Sequence, residues 1–251
     1  MLSLTDRQAI ARRDAEYLAL PLQLGRDPAS VTAHLREMVR RLKAGSCRQA
    51  VTWLTDLFDR SAPPTEGMAC ARGCAFCCVQ TVVVTPAEAF AVAAQLREQT
   101  APALRDYPVR RLGEPRSDWR PCPFLAADKA CAVYDSRPLA CHGFISFDLA
   151  ACIGFFGGSD AAAPDFTPPE RQRLLLACRK MLCAAHILAG HGEPQGHELT
   201  GAVAAILATP DAEARWHRGE NVLKAVPMGP SLPPAVQQEI RQMVALVAPT
   251  L

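Results

Sequence analysis

The chain has 251 residues, 49% of them hydrophobic and 21% charged, which excludes a disordered polar chain and allows a core that buries roughly 70–75% of the unfolded surface. Its 27 basic and 25 acidic residues leave a formal charge of +2, and their spread along the chain excludes the footprint of a general nucleic-acid binder. The longest apolar runs, such as Ala202 to Ala208, fall far short of the about 20 residues that span a bilayer, and Asp6, Arg7, Arg12 and Arg13 stand where a signal peptide needs an apolar segment, so no membrane association and a cytoplasmic location are expected.

Residues 1–62 read as helical. Apolar positions recur at helical spacing from Leu18 to Leu24 and again through Val31, Leu35, Met38, Val39 and Leu42. Asp27-Pro28 with Ser30 marks the start of a second helix, and Cys47 to Phe58 continues the pattern as a third. The charges from Arg36 to Lys43 read as a solvated helix face. Ser61-Ala-Pro-Pro64 stops the helix and leads into a loop that carries Cys70, Cys74, Cys77 and Cys78.

That loop is a metal-ligand signal. Cys74 and Cys77 have the two-residue gap that lets one tight turn aim both sulfurs at a single ion, and Gly73 suits the turn. In an extended chain the adjacent Cys77 and Cys78 would point to opposite faces. Their adjacency favours two metal sites sharing the loop, or one polynuclear cluster.

Val79 to Val84 is β-branched and short, the pattern of a single strand. Thr85-Pro86-Ala87-Glu88 is a capping box, and it predicts a helix from about Pro86 to Gln99. The stretch 101–120, with its interleaved Pro, Gly and charges, reads as an irregular connector. The next block contains Cys122-Pro-Phe-Leu, Cys131-Ala-Val-Tyr134 and Arg137-Pro-Leu-Ala-Cys141-His142. No helical or strand period fits it, so metal is expected to hold it in place.

A glycine-containing loop over 145–166 follows, and its Gly157-Gly158 lacks the strand and helix that a phosphate loop needs. Thr167-Pro-Pro-Glu170 repeats the helix-start logic for a long helix from Arg171 to Leu188, which carries Cys178 and Cys183. Helices over Ala202 to Ala208, Ala212 to Ala225 and Pro234 to Val247 complete the chain. The fold class is therefore mainly α, with about seven or eight helices packed around an irregular cysteine-rich metal-binding centre and at most one or two short strands. The expected organisation is one compact unit over 1–251, made of an N-terminal helical segment at 1–62, a cysteine-cluster metal-binding region at 63–183 and a C-terminal helical segment at 184–251.

Eleven cysteines, an odd count at low density, do not suit a disulfide scaffold, and in a reducing compartment thiolates bound to metal explain them better. With these residues in view, the stretch from Cys70 to Cys178 resembles the cysteine-cluster family known for its CxxCxxCC signature, described as zinc- or iron-chelating and related to flagellin lysine N-methylase. The resemblance rests on Cys70, Cys74, Cys77 and Cys78, on Cys122-Pro-Phe-Leu, on Cys131-Ala-Val-Tyr134, on Arg137-Pro138 before Cys141, and on Cys178-Arg179-Lys180. It departs from the family at its first gap, which is three residues instead of two, and at His142, where the family usually has arginine.

The resemblance implies eight thiolate ligands: Cys70, Cys74, Cys77, Cys78, Cys122, Cys131, Cys141 and Cys178. They would form two four-thiolate sites, or one cluster plus one ion. An iron–sulfur cluster such as [4Fe–4S], or zinc, satisfies such a donor set. Arg72, Arg137, Arg179 and Lys180 are candidates to offset its charge. Three functions fit: iron–sulfur redox or protein-modification chemistry, a structural zinc module that binds a protein partner, and a metal carrier or store.

Cys47, Cys152 and Cys183 are expected outside the ligand set, with Cys47 read as a core residue. His186, His191 and His197 are spaced for different helix faces and read as core or surface residues. Tyr134 is expected to pack over the cluster, and Asp128, Asp135 and Asp148 to serve as caps or in turns. The partner or substrate is a protein the sequence does not identify.

Overall fold

The computed structural model describes residues 27–44, 46–96, 100–111, 113–158, 166–226, 229 and 231–251. The helix expected from Leu18 to Leu24 lies outside the described residues. Among the described residues the chain is mainly helical, with ten α-helices and one two-stranded sheet.

Helix α1 (Pro28–Lys43) starts where the Asp27 side chain accepts from the Ala29 N–H at 3.0 Å, with Pro28 in the first turn, where a missing N–H leaves no bond unmade. Leu35, Met38 and Leu42 fill the core as their spacing predicts. One part of the expected solvated face is buried instead. Arg41 pairs with the buried Glu37 at 2.9 Å and lies 5.4 Å from the Trp53 ring centre, so its long stem packs while its charge is matched. Helix α2 (Cys47–Ser61) is capped by Ser46, which accepts from the Gln49 N–H at 3.2 Å.

The expected strand shrinks to β1 (Val83–Val84), because Cys77 to Val79 is taken into a 3-10 turn. Helix α3 (Pro86–Gln95) follows, with the capping box formed in full. The segment expected to be an irregular connector contains a short helix, α4 (Thr100–Arg105), and a 3-10 turn at Arg116–Asp118. Helix α5 (Leu139–Gly143) carries Cys141.

Helix α6 (Leu149–Phe156) stands where a loop was expected. Asp148 caps it by accepting from the Ala151 N–H at 2.8 Å, and the glycines that suggested a loop only end it. Helix α7 (Pro169–Leu188) begins as predicted but without its capping box. The Thr167 hydroxyl instead donates to the Gly143 carbonyl at 3.2 Å and accepts from the Ile145 N–H at 3.4 Å, fastening α5 to the start of α7.

Strand β2 (His197–Glu198) pairs antiparallel with β1, Val83 opposite Glu198 and Val84 opposite His197. A Cβ at Gly196 or Gly229 would come within 2.7 Å of a Val83 methyl, so both glycines are needed where the chain closes over β1. Helices α8 (Leu199–Leu207), α9 (Ala212–His217) and α10 (Pro234–Val247) complete the fold. The stretch from Ala212 is shorter than predicted, because the chain turns at Gly219, whose φ is +88°.

The core is built by α2 along α3, α3 along α8, and α7 along both α1 and α10. The cysteine-bearing segment joins it through buried Phe124, Val133 and Leu139. No helix of the described residues is long and apolar enough to cross a membrane.

The buried carboxylate of Glu88 couples the two regions. One oxygen accepts from the N–H and hydroxyl of Thr85 at 2.8 and 2.9 Å, and the other accepts from the Leu139 N–H at 3.0 Å. A residue that starts α3 therefore also starts α5. Replacing it strands three buried donors, so Glu88→Ala should lower unfolding free energy by about 3 kcal/mol, against about 1 kcal/mol for Thr85→Ala, in denaturant titrations. Equal losses in the two variants would mean that the link to Leu139 contributes nothing.

Candidate metal centre

The first cysteine loop is held at its start by Ser146. Ala69 N–H donates to the Ser146 carbonyl at 2.8 Å, and the Ser146 N–H returns to the Cys70 sulfur at 3.4 Å. Gly73 turns the chain with φ +83°, and a Cβ there would sit 3.3 Å from the Asp128 carbonyl, so the loop presses against the second cysteine block at a glycine. Arg72 reinforces this contact from solvent through Asp128 at 3.1 Å. Cys77 and Cys78 lie in the 3-10 turn Phe76–Val79. With about three residues per turn, their side chains diverge by roughly 120°. The opposite-face arrangement of an extended chain does not form, and the two thiols share a hydrogen bond while facing different neighbours.

The second block is a tight hairpin-like turn followed by α5. Leu125 and Cys131 form a bridge, Ala132 N–H donates to the Phe124 carbonyl at 2.8 Å, and Ala126 N–H donates to the Ala130 carbonyl at 2.8 Å. Asp128 has the turn role expected of it and accepts from the Ala130 N–H at 3.0 Å. The N–H groups of Phe124 and Val133 point at the sulfurs of Cys122 and Cys131, favouring thiolate at each. Cys141 follows the Leu139 anchor.

The thiols sort into two sets by the charges they feel. Burial pushes Cys122 up to about 11 and raises Cys131 and Cys141. Cys78 raises all three further, and Cys122 and Cys131 add to the rise at Cys141. Cys78 moves the other way, held down by the hydrogen bond from Cys77 and then by Arg110 and Arg137. At Cys70, burial raises the thiol first, and the charges of Cys74 and Cys152 raise it further. Cys77 joins the sets: the hydrogen bond to Cys78 and burial raise it most, followed by the charges of Cys78, Cys141 and Cys70.

Seven of the eight expected ligands are thus brought together, and Cys178 is not. It is fully buried in α7, and burial alone raises its thiol, with no other cysteine contributing. Cys152, expected outside the set, lies near enough to Cys70 to act on it, because α6 packs on the 3-10 turn of Cys77 and Cys78. A helix over Leu149–Phe156, signalled by Asp148 before an apolar octet, would have revealed it.

Two arginines provide positive charge. Arg137 lies close enough to lower Cys70, Cys78, Cys131 and Cys141, as its place in the sequence suggested. Arg110, which the sequence reading missed, is buried and donates to the carbonyls of Cys78 at 3.4 Å, Gln80 at 2.6 Å and Arg120, and to the Tyr107 hydroxyl at 3.0 Å. Arg179 acts on Cys183 and Lys180 pairs with Glu239, so neither joins the cluster charge balance.

His142 has both ring nitrogens engaged. Nδ1 accepts from Arg137 at 3.1 Å, which leaves the Nε2–H to donate to Asp59 at 2.8 Å. Tyr134 does not pack over the thiols. It is 55% exposed, with the Arg137 guanidinium 4.1 Å from its ring centre.

Residues 69–153 match the model of the CxxCxxCC family, described as "Putative zinc- or iron-chelating domain". Over that segment, about a third of the chain, the protein is similar to this domain. The segment contains Cys70, Cys74, Cys77, Cys78, Cys122, Cys131, Cys141 and Cys152, and leaves Cys47, Cys178 and Cys183 outside. No curated protein and no solved structure matches the chain. The donor set of the CxxCxxCC-like segment fits a thiophilic metal: half-buried sulfurs, backbone N–H groups aimed at three of them, and two arginines against the charge of the thiolates.

Gly73→Ala should lower metal per chain and melting temperature, because it combines left-handed strain of about 1–2 kcal/mol with a contact the Asp128 carbonyl must relieve. Gly67→Ala, with φ +77° and open space, carries only the strain. Equal metal content in the two variants, by elemental analysis, would show that the Gly73 contact is not needed to bring the blocks together.

Proposed function

We propose that the CxxCxxCC-like segment carries an iron–sulfur centre used in redox or protein-modification chemistry. Cys70, Cys74, Cys77 and Cys152 provide one thiolate set, and Cys78, Cys122, Cys131 and Cys141 provide the other. The observation that carries this reading is the Cys77–Cys78 pair: Cys78 acts on Cys122, Cys131 and Cys141, while Cys77 feels Cys78, Cys141 and Cys70 and so links the two groups of thiols. Adjacent thiolates in one turn that link two groups of cysteines suit a polynuclear unit.

Such a centre supplies one-electron transfer when bound. Arg137 and Arg110 offset its negative charge, and the partial exposure of seven of the eight cysteines leaves it within reach of a protein partner or substrate. The modification role draws on the relation of the CxxCxxCC family to flagellin lysine N-methylase. A structural zinc module is the second reading, favoured by the division into fours, each of which fills a tetrahedral shell. We read the whole chain as one unit around this segment, since α10 packs on both α1 and α7.

Anaerobic purification tests the metal. A brown protein containing iron and acid-labile sulfide is expected, and a colourless protein loaded with zinc would overturn the iron reading in favour of the zinc module.

The ligand assignment has its own test. Serine is a far poorer ligand for soft metals, so Cys152→Ser should lower metal content as far as Cys74→Ser does. Cys178→Ser should keep its metal and cost about 1 kcal/mol of stability. The reverse result would restore Cys178 as the eighth ligand.

A further inference from the structure

Another set of ligand-type side chains lies at the opposite end of α2. Cys47, in the first turn of that helix, is fully buried, and its N–H donates to Glu213 Oε1 at 2.6 Å. Its thiol also hydrogen-bonds to the Glu213 carboxylate. His217 follows Glu213 by one turn of α9, a spacing that puts both on one helix face, with Nε2 4.0 Å from Glu213 Oε1. One sulfur, one carboxylate oxygen and one imidazole nitrogen of Cys47, Glu213 and His217 all lie within 4.8 Å of one another, the one such group among the described residues.

The Nε2 of the histidine is not taken by another hydrogen bond. His217 Nε2 is buried and has no hydrogen-bond partner, although a buried ring nitrogen ordinarily has one. The same holds for Nε2 of His191, whose ring lies 5.1 Å from that of His217 and stacks on Trp216 at 3.8 Å. His186 closes the far side of Trp216, with ring centres 4.9 Å apart.

We propose that Cys47, Glu213 and His217 form a mononuclear site for a divalent transition metal of the zinc class, separate from the CxxCxxCC-like segment. A thiolate, a carboxylate and an imidazole together match a borderline ion better than a hard one such as magnesium or a soft one such as copper(I). Three protein ligands leave one position open, and Glu213 and His217, 31% and 18% exposed, place it on the side nearer solvent. The ion takes the place of the proton that the Cys47 thiol shares with Glu213: the S–H bond breaks, a sulfur–metal bond forms, and the proton goes to solvent.

The site is remote from the cysteine cluster. Twelve residues of helix separate Cys47 from Asp59, where α2 reaches His142, which is about 18 Å at 1.5 Å per residue. It does not depend on which metal the cluster holds.

The test uses the full chain, with the cluster filled as purified, dialysed against Zn²⁺ and analysed for zinc per chain. His217→Gln and Glu213→Gln should each hold about one zinc ion fewer than the unmodified protein. Glu239→Gln, on α10, should match it. In the unmodified protein the His217 imidazole nitrogen resonance should shift on zinc addition. Zinc content unchanged in both His217→Gln and Glu213→Gln, or no shift at His217, would overturn the site. Both substitutions are at partly exposed side chains, so the test stands even where Cys47→Ala, at a fully buried position, fails to fold.

Discussion

Negative charge on one sulfur makes charge on its neighbour harder to bear, and this repulsion shapes the middle of the molecule. Cys78, Cys122, Cys131 and Cys141 are close enough to act on one another, as Cys70 is with Cys74 and Cys152. Without a cation Cys70, Cys122, Cys131 and Cys141 are best kept protonated. A metal reverses the balance, because it binds the thiolate and displaces the proton. The arginines that approach the sulfurs, Arg110 and Arg137, already lean Cys78 toward the charged form.

The helical scaffold brings the sulfurs together through a few buried polar joints and not through regular structure in the cysteine segment. Glu88 ties the start of α3 to the start of α5. Thr167 ties the end of α5 to the start of α7, and Arg110 gathers the carbonyls of Cys78, Gln80 and Arg120. Each joint satisfies backbone groups that an irregular chain would otherwise bury unpaired. Thr167 shows how one residue type can meet either of two needs. Its sequence context is that of a helix cap, yet its hydroxyl is taken by Gly143 and Ile145, and α7 starts on prolines without a side-chain cap.

Where the sequence reading missed an element, a stronger local signal had been read first. Gly157 and Gly158 suggested a loop over 145–166, but they follow a helix that Asp148 begins, and that helix carries Cys152 to the cluster. Val79 to Val84 reads as one strand by composition, yet the two cysteines before it curl the chain into a 3-10 turn and leave two residues to pair. Its partner strand, His197–Glu198, has no apolar pattern at all. It pairs because Gly196 and Gly229 let the chain approach Val83.

Local chemistry was legible in the sequence by itself: helix starts at Asp27 and Thr85, a glycine turn before Cys74, a mainly α chain, and cysteine spacing that points to metal. These depend on residues within a few positions of one another, where covalent geometry limits the choices. Only the tertiary structure decided which distant groups meet. It put Cys152 instead of Cys178 near Cys70, engaged both nitrogens of His142, brought Arg110 onto the Cys78 carbonyl, and gathered Cys47 with Glu213 and His217. Such meetings follow from how whole helices pack, and α2, α6, α7 and α9 carry these residues as passengers on faces set by the apolar core.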